Sequence, residues 1–363
     1  MIKTSSVGTA ALFLLLVSHV TVAQAPKPAD SSAWGMLQSS LVDYLSQQNA
    51  AFATRYLVQI PEVAISANWD KPSDKAASLS YVADMVPDWD ITWRPSNRRF
   101  SEEYGRFVTS LDVSTTDTDP RTVQAIQKYM DSSSARAGSA EASRPSYPFY
   151  ASLSTLKRVR DSGEAQIASG KLAFSWDFKS PSISDTRSSD VRKKRRSFLS
   201  FRLSSTSTTD ISDLAFREFS FSFAAYQLNV IPVTPGDWYS GYLISRYKAG
   251  PFKKGSQVTA DTLWGPQGKL GLLVSGLVVA YKPQITVRLS QSDYQRLRRQ
   301  FRAGAQILIG PFAVGSEAQQ SSEEVTWNDE SSSFTIRESS PQPQIIAVLS
   351  SALNSSISPQ VPR

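Results

Sequence analysis

The sequence predicts an α+β fold: a helix-rich N-terminal third, then a largely antiparallel, β-dominated region with one covering helix. Three observations carry this expectation. Residues 270–281 are apolar except for Ser275, Gly271 and Gly276, the composition of a strand covered on both faces. Pro283 then resets the backbone, and Ile285, Val287 and Leu289 alternate with Thr286 and Arg288 as in a strand with one wet face. Apolar residues at helical spacing, by contrast, gather before residue 146. The run 270–281 holds twelve residues, fewer than the about 20 a membrane-spanning helix requires, and its valines and Gly276 favour a strand.

The chain opens with Lys3, an apolar core at 10–17 and the small residues Thr21, Val22 and Ala23, the pattern of an export leader cleaved after Ala23. The expected organisation is therefore a leader at 1–23, a helix-rich region at 24–146, a β-rich domain at 147–353 and a loose tail at 354–363. His19, the only histidine, falls in the leader, and the chain has no cysteine. The processed chain then holds neither, which excludes Ser-His-Asp and Cys-His nucleophile systems, His- or Cys-ligated zinc and any disulfide framework. Carboxylate chemistry, a Ser-Lys or Tyr nucleophile, and an oxygen-ligated cation remain open. The net charge of +7 becomes +6 once Lys3 is removed. That excess attracts lipid headgroups, acidic polysaccharides and nucleic acid, and export makes nucleic acid the least expected of the three.

In chain order, Trp34, Leu37, Leu41, Tyr44 and Leu45 recur at helical spacing behind Ser31 or Ser32, predicting a capped helix over 33–56 that Pro61 bars from continuing. Residues 63–69 and 79–93 read as strands. In the second, alternation puts Trp89, Ile91 and Trp93 on one face and Asp88, Asp90 and Thr92 on the other. Asp88 and Asp90 are thereby candidates for a carboxylate pair or a cation site, and Trp89 and Trp93 for stacking on a sugar. The alternative is a half-buried strand with its acids in water. Helices are expected over 101–111 and 119–133, the second opened by Asp119 and Pro120 with Val123, Ile126, Gln127 and Met130 on one side. A Ser/Ala/Arg-rich connector at 132–146 marks the domain boundary.

Leu172, Phe174, Trp176 and Phe178 alternate with polar or small residues and predict a strand with an aromatic core face. Arg192, Lys193, Lys194, Arg195 and Arg196 repel one another and read as exposed, fit to contact an anionic surface or to be cut by a dibasic-specific protease. Residues 199–203 form a further strand. Phe219, Phe221 and Phe223 alternate with serines, and the parity slips at Ala224 and Ala225 before Leu228 and Val230, which predicts one long strand with a β-bulge. A turn at 232–237, a tyrosine-rich strand at 238–247 and a basic turn at 250–255 follow. Ser290 and Asp293 open a helix with Tyr294, Leu297 and Phe301 on one face and Arg296, Arg298, Arg299 and Arg302 elsewhere, ended by Gly304. That helix either covers a sheet or rests its arginines on an anionic surface. Strands are expected at 306–315, with a break at Gly310 and Pro311, in a hairpin joining 325–327 to 334–336, and at 345–349. Asn354 begins the one glycosylation sequon of the tail.

No internal repeat, Gly-rich phosphate loop, zinc spacing or EF-hand loop is present, so no cofactor is expected. Three functions fit. The favoured one is a secreted, non-catalytic protein binding an anionic, glycan or membrane surface through the basic clusters and exposed aromatics. A pore-forming β-protein is the alternative, built on 199–203 and 219–230, of which only the second approaches the about 9–11 residues of a transmembrane strand. The third is an extracellular hydrolase using Asp88 and Asp90, with Glu102 and Glu103 next.

Overall fold

The computed structural model describes residues 32–65, 72–113, 119–138, 147–179, 198–202, 219–265, 268–315 and 323–353. In chain order the elements are α1 (Ala33–Gln48), α2 (Ala51–Arg55), β1 (Leu57–Pro61), α3 (Pro72–Ala83), β2 (Thr92–Trp93), α4 (Phe100–Ser110), α5 (Pro120–Gly138), β3 (Phe149–Ala151) and α6 (Leu153–Ser169). There follow β4 (Phe174–Lys179), β5 (Leu199–Arg202), β6 (Phe219–Ala225), β7 (Gln227–Pro235), α7 (Gly241–Tyr247), α8 (Ala260–Trp264), β8 (Leu272–Tyr281), β9 (Gln284–Leu289) and α9 (Gln291–Arg302). The chain closes with β10 (Gln306–Ile309), β11 (Phe312–Val314), β12 (Glu323–Asn328), β13 (Ser333–Glu338) and β14 (Gln344–Ala352). Helices thus dominate before residue 170 and antiparallel strands after it, as the sequence predicts.

β8 lies inside a six-stranded sheet ordered β2-β1-β14-β8-β7-β3, and β9 inside a five-stranded one ordered β12-β13-β9-β6-β4. A smaller sheet, β11-β10-β5, completes the set. The order β14-β8-β7 in one sheet repeats as β13-β9-β6 in the next, because each of these three strands runs out of one sheet directly into the other. The antiparallel partners of β8 and β9 are therefore successive halves of the same neighbours. The parity slip at Ala224 and Ala225 is this passage between sheets. It is not a bulge: β6 ends at Ala225 and β7 begins at Gln227.

Two hydrophobic cores flank the six-stranded sheet. On one face Leu228, Val230, Val278, Ala280 and Ile346 join α1, the aromatic face of the five-stranded sheet, and the small sheet. On the other, Ile231, Val233, Leu277, Val279, Tyr281 and Val348 pack with α3 to α8. β1 pairs with β14 and β3 with β7, so strands from both ends of the chain build one sheet.

Several local expectations are corrected. Residues 79–83 belong to helix α3, and in 84–93 only Thr92 and Trp93 form a strand, pairing in parallel with Ile60 and Pro61. The strand expected at 63–69 is replaced by β1 at Leu57–Pro61; 66–69 lie outside the described residues. The single helix expected over 33–56 divides at Asn49, whose Oδ1 accepts from Ala51 N at 3.0 Å. The strand expected at 238–247 is helix α7, opened by Ser240, whose Oγ accepts from Leu243 N. The turn expected at 232–237 begins only after Pro235, where β7 ends. On α5 the buried side is Thr122, Ala125 and Tyr129, whereas Val123 is 56% exposed and Met130 48%. Helix α6 was not foreseen; Ser152 caps its start and Gly170, at φ 66°, ends it in the left-handed region. β3 and α8 were likewise not anticipated.

Helix α6 meets the sheet at Gly163. A Cβ there would stand 2.2 Å from Cδ1 of Tyr281, whose ring is fully buried and whose hydroxyl donates to Glu164. Alanine raises helix propensity by about 0.5–1 kcal/mol at a free site, but here the ring has nowhere to go. Gly163→Ala is expected to destabilise the chain by about 1–3 kcal/mol, read as a lower midpoint in urea unfolding; an unchanged or raised midpoint would show that α6 can move off Tyr281.

Candidate functional site

The residues singled out by the sequence do not converge. Arg192, Lys193, Lys194, Arg195 and Arg196 lie outside the described residues. Asp88, Trp89 and Asp90 sit on a loop, not a strand, held from below by Gln59 of β1. That side chain is fully buried, its Nε2 donates to the carbonyls of Asp88 and Asp90, and its Oε1 accepts from Ser350 Oγ at 2.7 Å. Asp90 turns one carboxylate oxygen back onto Ile91 N at 2.7 Å. The Trp89 indole lies 2.6 Å from where a Cβ would stand on Gly271. Trp93, at 1% exposure, belongs to the core and offers no ring face to a ligand. Glu102 is exposed, while Glu103 is buried and pairs with Arg106 at 3.2 Å and Lys269 at 3.6 Å.

The arginines of α9 divide. Arg298 is half-buried, pairs with Asp329 and lies 5.9 Å from the Trp327 ring centroid. The Tyr294 hydroxyl donates to the same Asp329 oxygen at 2.8 Å, and these two donors hold the Asp329 carboxyl below the usual range. Arg296 pairs with Asp293 at 2.9 Å. Arg299 and Arg302 are exposed. α9 thus covers the five-stranded sheet with Tyr294 and Leu297 and ties down half of its arginines.

A groove of about 490 Å³ lies between α5 and the turn joining β7 to α7, within the range of small-ligand sites. Arg121, Gln124 and Lys128 recur at helical spacing along one wall; Asp237, Tyr239, Ser240 and Tyr242 supply the other. Each wall is anchored. The Tyr242 hydroxyl donates to Asp119, the residue ahead of α5, and Asp119 also accepts from Arg121 N at 3.0 Å. These bonds, Tyr242 first, lower the Asp119 pKa. The Arg121 guanidinium stands 4.8 Å from the Tyr242 ring centroid. Tyr239 packs among Phe100, Tyr104 and Trp238, and burial pushes its hydroxyl up to about 12, so it is a neutral donor at any physiological pH. Among the described residues, the side chains of Gln124, Lys128 and Asp237 and the Tyr239 hydroxyl have no hydrogen-bond or ion-pair partner. Two cations, a carboxylate, an amide and aromatic surface therefore share one groove, with Gln124, Lys128, Asp237 and the Tyr239 hydroxyl unengaged among the described residues.

Sequence reasoning missed the groove because it grouped Val123, Ile126, Gln127 and Met130 as one side of α5, of which Ile126 packs against the core while the other three are exposed, and read residues 238–247 as a strand. The spacing of Arg121, Gln124 and Lys128 was the available signal.

The floor of the groove depends on α4. Tyr104 Oη accepts from Ser240 N at 2.9 Å, so α4 positions the start of α7. The start of α4 is in turn capped from a distance: its own preceding residue, Arg99, makes no capping bond, and Asp84 accepts from Ser101 N and Ser101 Oγ, each at 2.7 Å. The described residues contain no group of three or more acids or histidines able to hold a metal ion. Compared with protein-family models, curated proteins and solved structures, the chain matches none.

Burial raises the Asp84 carboxyl to about 6, against the lowering effect of its bonds to Ser101. The unfolded value is about 3.9, so between pH 4 and 6 the folded chain binds the proton more tightly than the unfolded one. Stability contributed at Asp84 therefore falls as pH rises through about 4 to 6. Asp84→Asn keeps an acceptor for Ser101 N and removes the buried charge. It is expected to flatten this part of the stability–pH curve and to raise stability at pH 7 by on the order of 2 kcal/mol. Urea unfolding at pH 4, 5, 6 and 7 checks it, and a parent curve without this fall between pH 4 and 6 would refute the assignment.

Proposed function

We propose that the chain is an exported, non-catalytic binding protein that holds an acidic saccharide in the groove between α5 and α7. The observation that carries this reading is the set of polar groups there without a partner among the described residues, Gln124, Lys128, Asp237 and the Tyr239 hydroxyl, beside Arg121, which is paired with Asp119 at 3.6 Å. Cationic side chains suit the carboxylate of a sugar acid; a carboxylate, an amide and a phenol suit its hydroxyls; the tyrosine rings suit its apolar edges. Most glycosidases use two carboxyl groups flanking the bond, and Asp237 is the one carboxylate among the described residues lining the groove, which favours binding over hydrolysis. The basic run from Arg192 to Arg196 adds long-range attraction to the same class of ligand.

Calorimetric titration with uronic-acid oligosaccharides and with neutral oligosaccharides of equal length tests the proposal. The acidic ligand is expected to bind more tightly, with an affinity that weakens as salt rises. Lys128→Gln is expected to cost about 3- to 10-fold in affinity for the acidic ligand, and Asp237→Asn a similar factor for both. Neutralising the five residues 192–196 should lower affinity and flatten its salt dependence while leaving the effect of Lys128→Gln in place. Equal affinity for both ligands together with an unaltered Lys128→Gln variant would overturn the reading.

A further inference from the structure

The five-stranded sheet has one face in the first core and one in solvent. Alternation turns Phe174, Trp176, Phe178, Phe221, Phe223 and Val287 inward, and it turns a polar set outward. The register places Ser222 beside Thr286, Thr286 beside Thr335, and Thr335 beside Thr326. These four hydroxyls make a row across the strands, with Asp177 next to Ser222 at its β4 end. The parallel row one step along the strands runs from Lys179 through Ser220 to Arg288. Lys179 and Arg288 are exposed and have no acidic partner among the described residues. Asp177, Lys179, Ser220, Ser222, Thr286 and Arg288 together line a shallow depression of about 370 Å³.

We infer that this face is a second binding surface, independent of the groove, and that its occupant is a sulfated linear polysaccharide. Three features select that occupant. Adjacent strands stand about 4.8 Å apart, so the four hydroxyls span roughly 14 Å; Thr286 and Thr335 bond each other at 3.0 Å, and the row presents hydroxyl groups at strand spacing to a polyhydroxylated chain. Lys179 and Arg288 flank Ser220 and supply two cations to the oxyanions of that chain, with the forked guanidinium matching a planar pair of oxygens. The outward positions used here carry no large apolar side chain, so nothing on the face would enter a hydrocarbon layer as a lipid-binding surface requires.

The test uses the full chain with residues 192–196 changed to Gln and with Arg121→Gln and Lys128→Gln added, which removes the cations of the basic run and both cations of the groove. Binding to heparin, to neutral dextran and to phosphatidylserine vesicles is measured across salt concentrations. Heparin binding is expected to persist in this background, to weaken with salt, and to exceed binding to dextran and to the vesicles. Adding Lys179→Gln and Arg288→Gln should lower heparin affinity about tenfold or more and reduce its salt dependence. Adding Thr286→Val and Thr335→Val instead should lower it about threefold with the salt dependence unchanged. All four positions lie on the outer face, and thermal unfolding of each variant reads out folding separately. The inference is overturned if the background chain does not bind heparin, if Lys179→Gln with Arg288→Gln leaves its affinity unchanged, or if the vesicles bind more tightly than heparin. Because the groove lacks both of its cations here and the groove's own test reads uronic-acid ligands through Lys128, either site can fail without the other.

Discussion

The fold turns on the corner where three paired strands leave one sheet for the next. β6 becomes β7 at Tyr226, β8 becomes β9 at Lys282 and Pro283, and β13 becomes β14 across residues 339–343. Strands that bend together must keep their hydrogen bonds through the bend or leave backbone groups buried and unpaired. Here the ladder persists: Tyr226 N donates to Tyr281 O and Glu338 N to Pro283 O, both at 3.2 Å. Lys282 takes φ 44° at the centre of the corner, a left-handed conformation that an L-residue adopts at some cost. Glu338 is buried and accepts from Ser340 N at 2.7 Å and from Gln344 Nε2, tying together the two sides of its own strand change. Tyr281 lies fully buried against Gly163, its hydroxyl on Glu164, while Lys282 reaches the same carboxylate at 3.8 Å. Helix α6 therefore braces the bend from the side opposite the five-stranded sheet.

This corner gives the molecule two dissimilar faces. Because the three strands continue, the central strands of the six-stranded sheet are covered on both sides, while the five-stranded sheet is covered on one side and keeps a wet face. Burial on both faces demands the continuous apolar run of β8; burial on one demands the alternation of β9. The chain changes from one pattern to the other within Lys282 and Pro283. The helices that cover the far side of the six-stranded sheet meet one another through aromatic side chains. Tyr104 of α4 stands 6.0 Å from Tyr129 of α5, and Phe107 of α4 5.9 Å from Trp264 of α8, ring to ring. α5 and α7 rise from this aromatic layer, and the groove is the space their polar sides leave between them.

The strand patterns were legible because each depended on burial alone. β4, β8, β9, β13 and α9 lie where the alternation or periodicity of their own residues places them, and Ser290 caps α9 as its sequence suggests, accepting from Asp293 N at 3.2 Å. The misread segments depended on partners remote in sequence. Residues 238–247 have strand-like tyrosines, yet Ser240 N donates to Tyr104 Oη from 136 residues away and its side chain caps a helix. Residues 79–83 contain small and β-branched residues that suit either state, and the end of α3 is decided by Asp84 reaching across to Ser101. The slip at Ala224 and Ala225 was visible, but a bulge and a change of sheet leave the same mark on a single strand. Only the matching breaks at Pro283 and after Glu338 separate them, and those lie on the partners. The paired acids at Asp88 and Asp90 were visible as well; that they occupy a loop follows from Gln59, a buried glutamine in an otherwise apolar strand.

The same distinction decides which charges bear on binding. A cation that already holds a carboxylate inside the protein must give up that bond before it can hold a ligand, and the loss offsets most of the gain. Arg298 is held by Asp329 and Arg296 by Asp293, so the basic look of α9 overstates what it can offer a surface. Lys128 in the groove and Lys179 and Arg288 on the sheet face have no such partner among the described residues. Each lies beside hydroxyl, amide or phenol groups whose geometry is set by a helix or a strand. Their backbone positions are set by the fold, while binding a ligand costs each free cationic side chain its rotamer freedom. Counting charge along the sequence ranks α9 with these positions; pairing within the fold separates them.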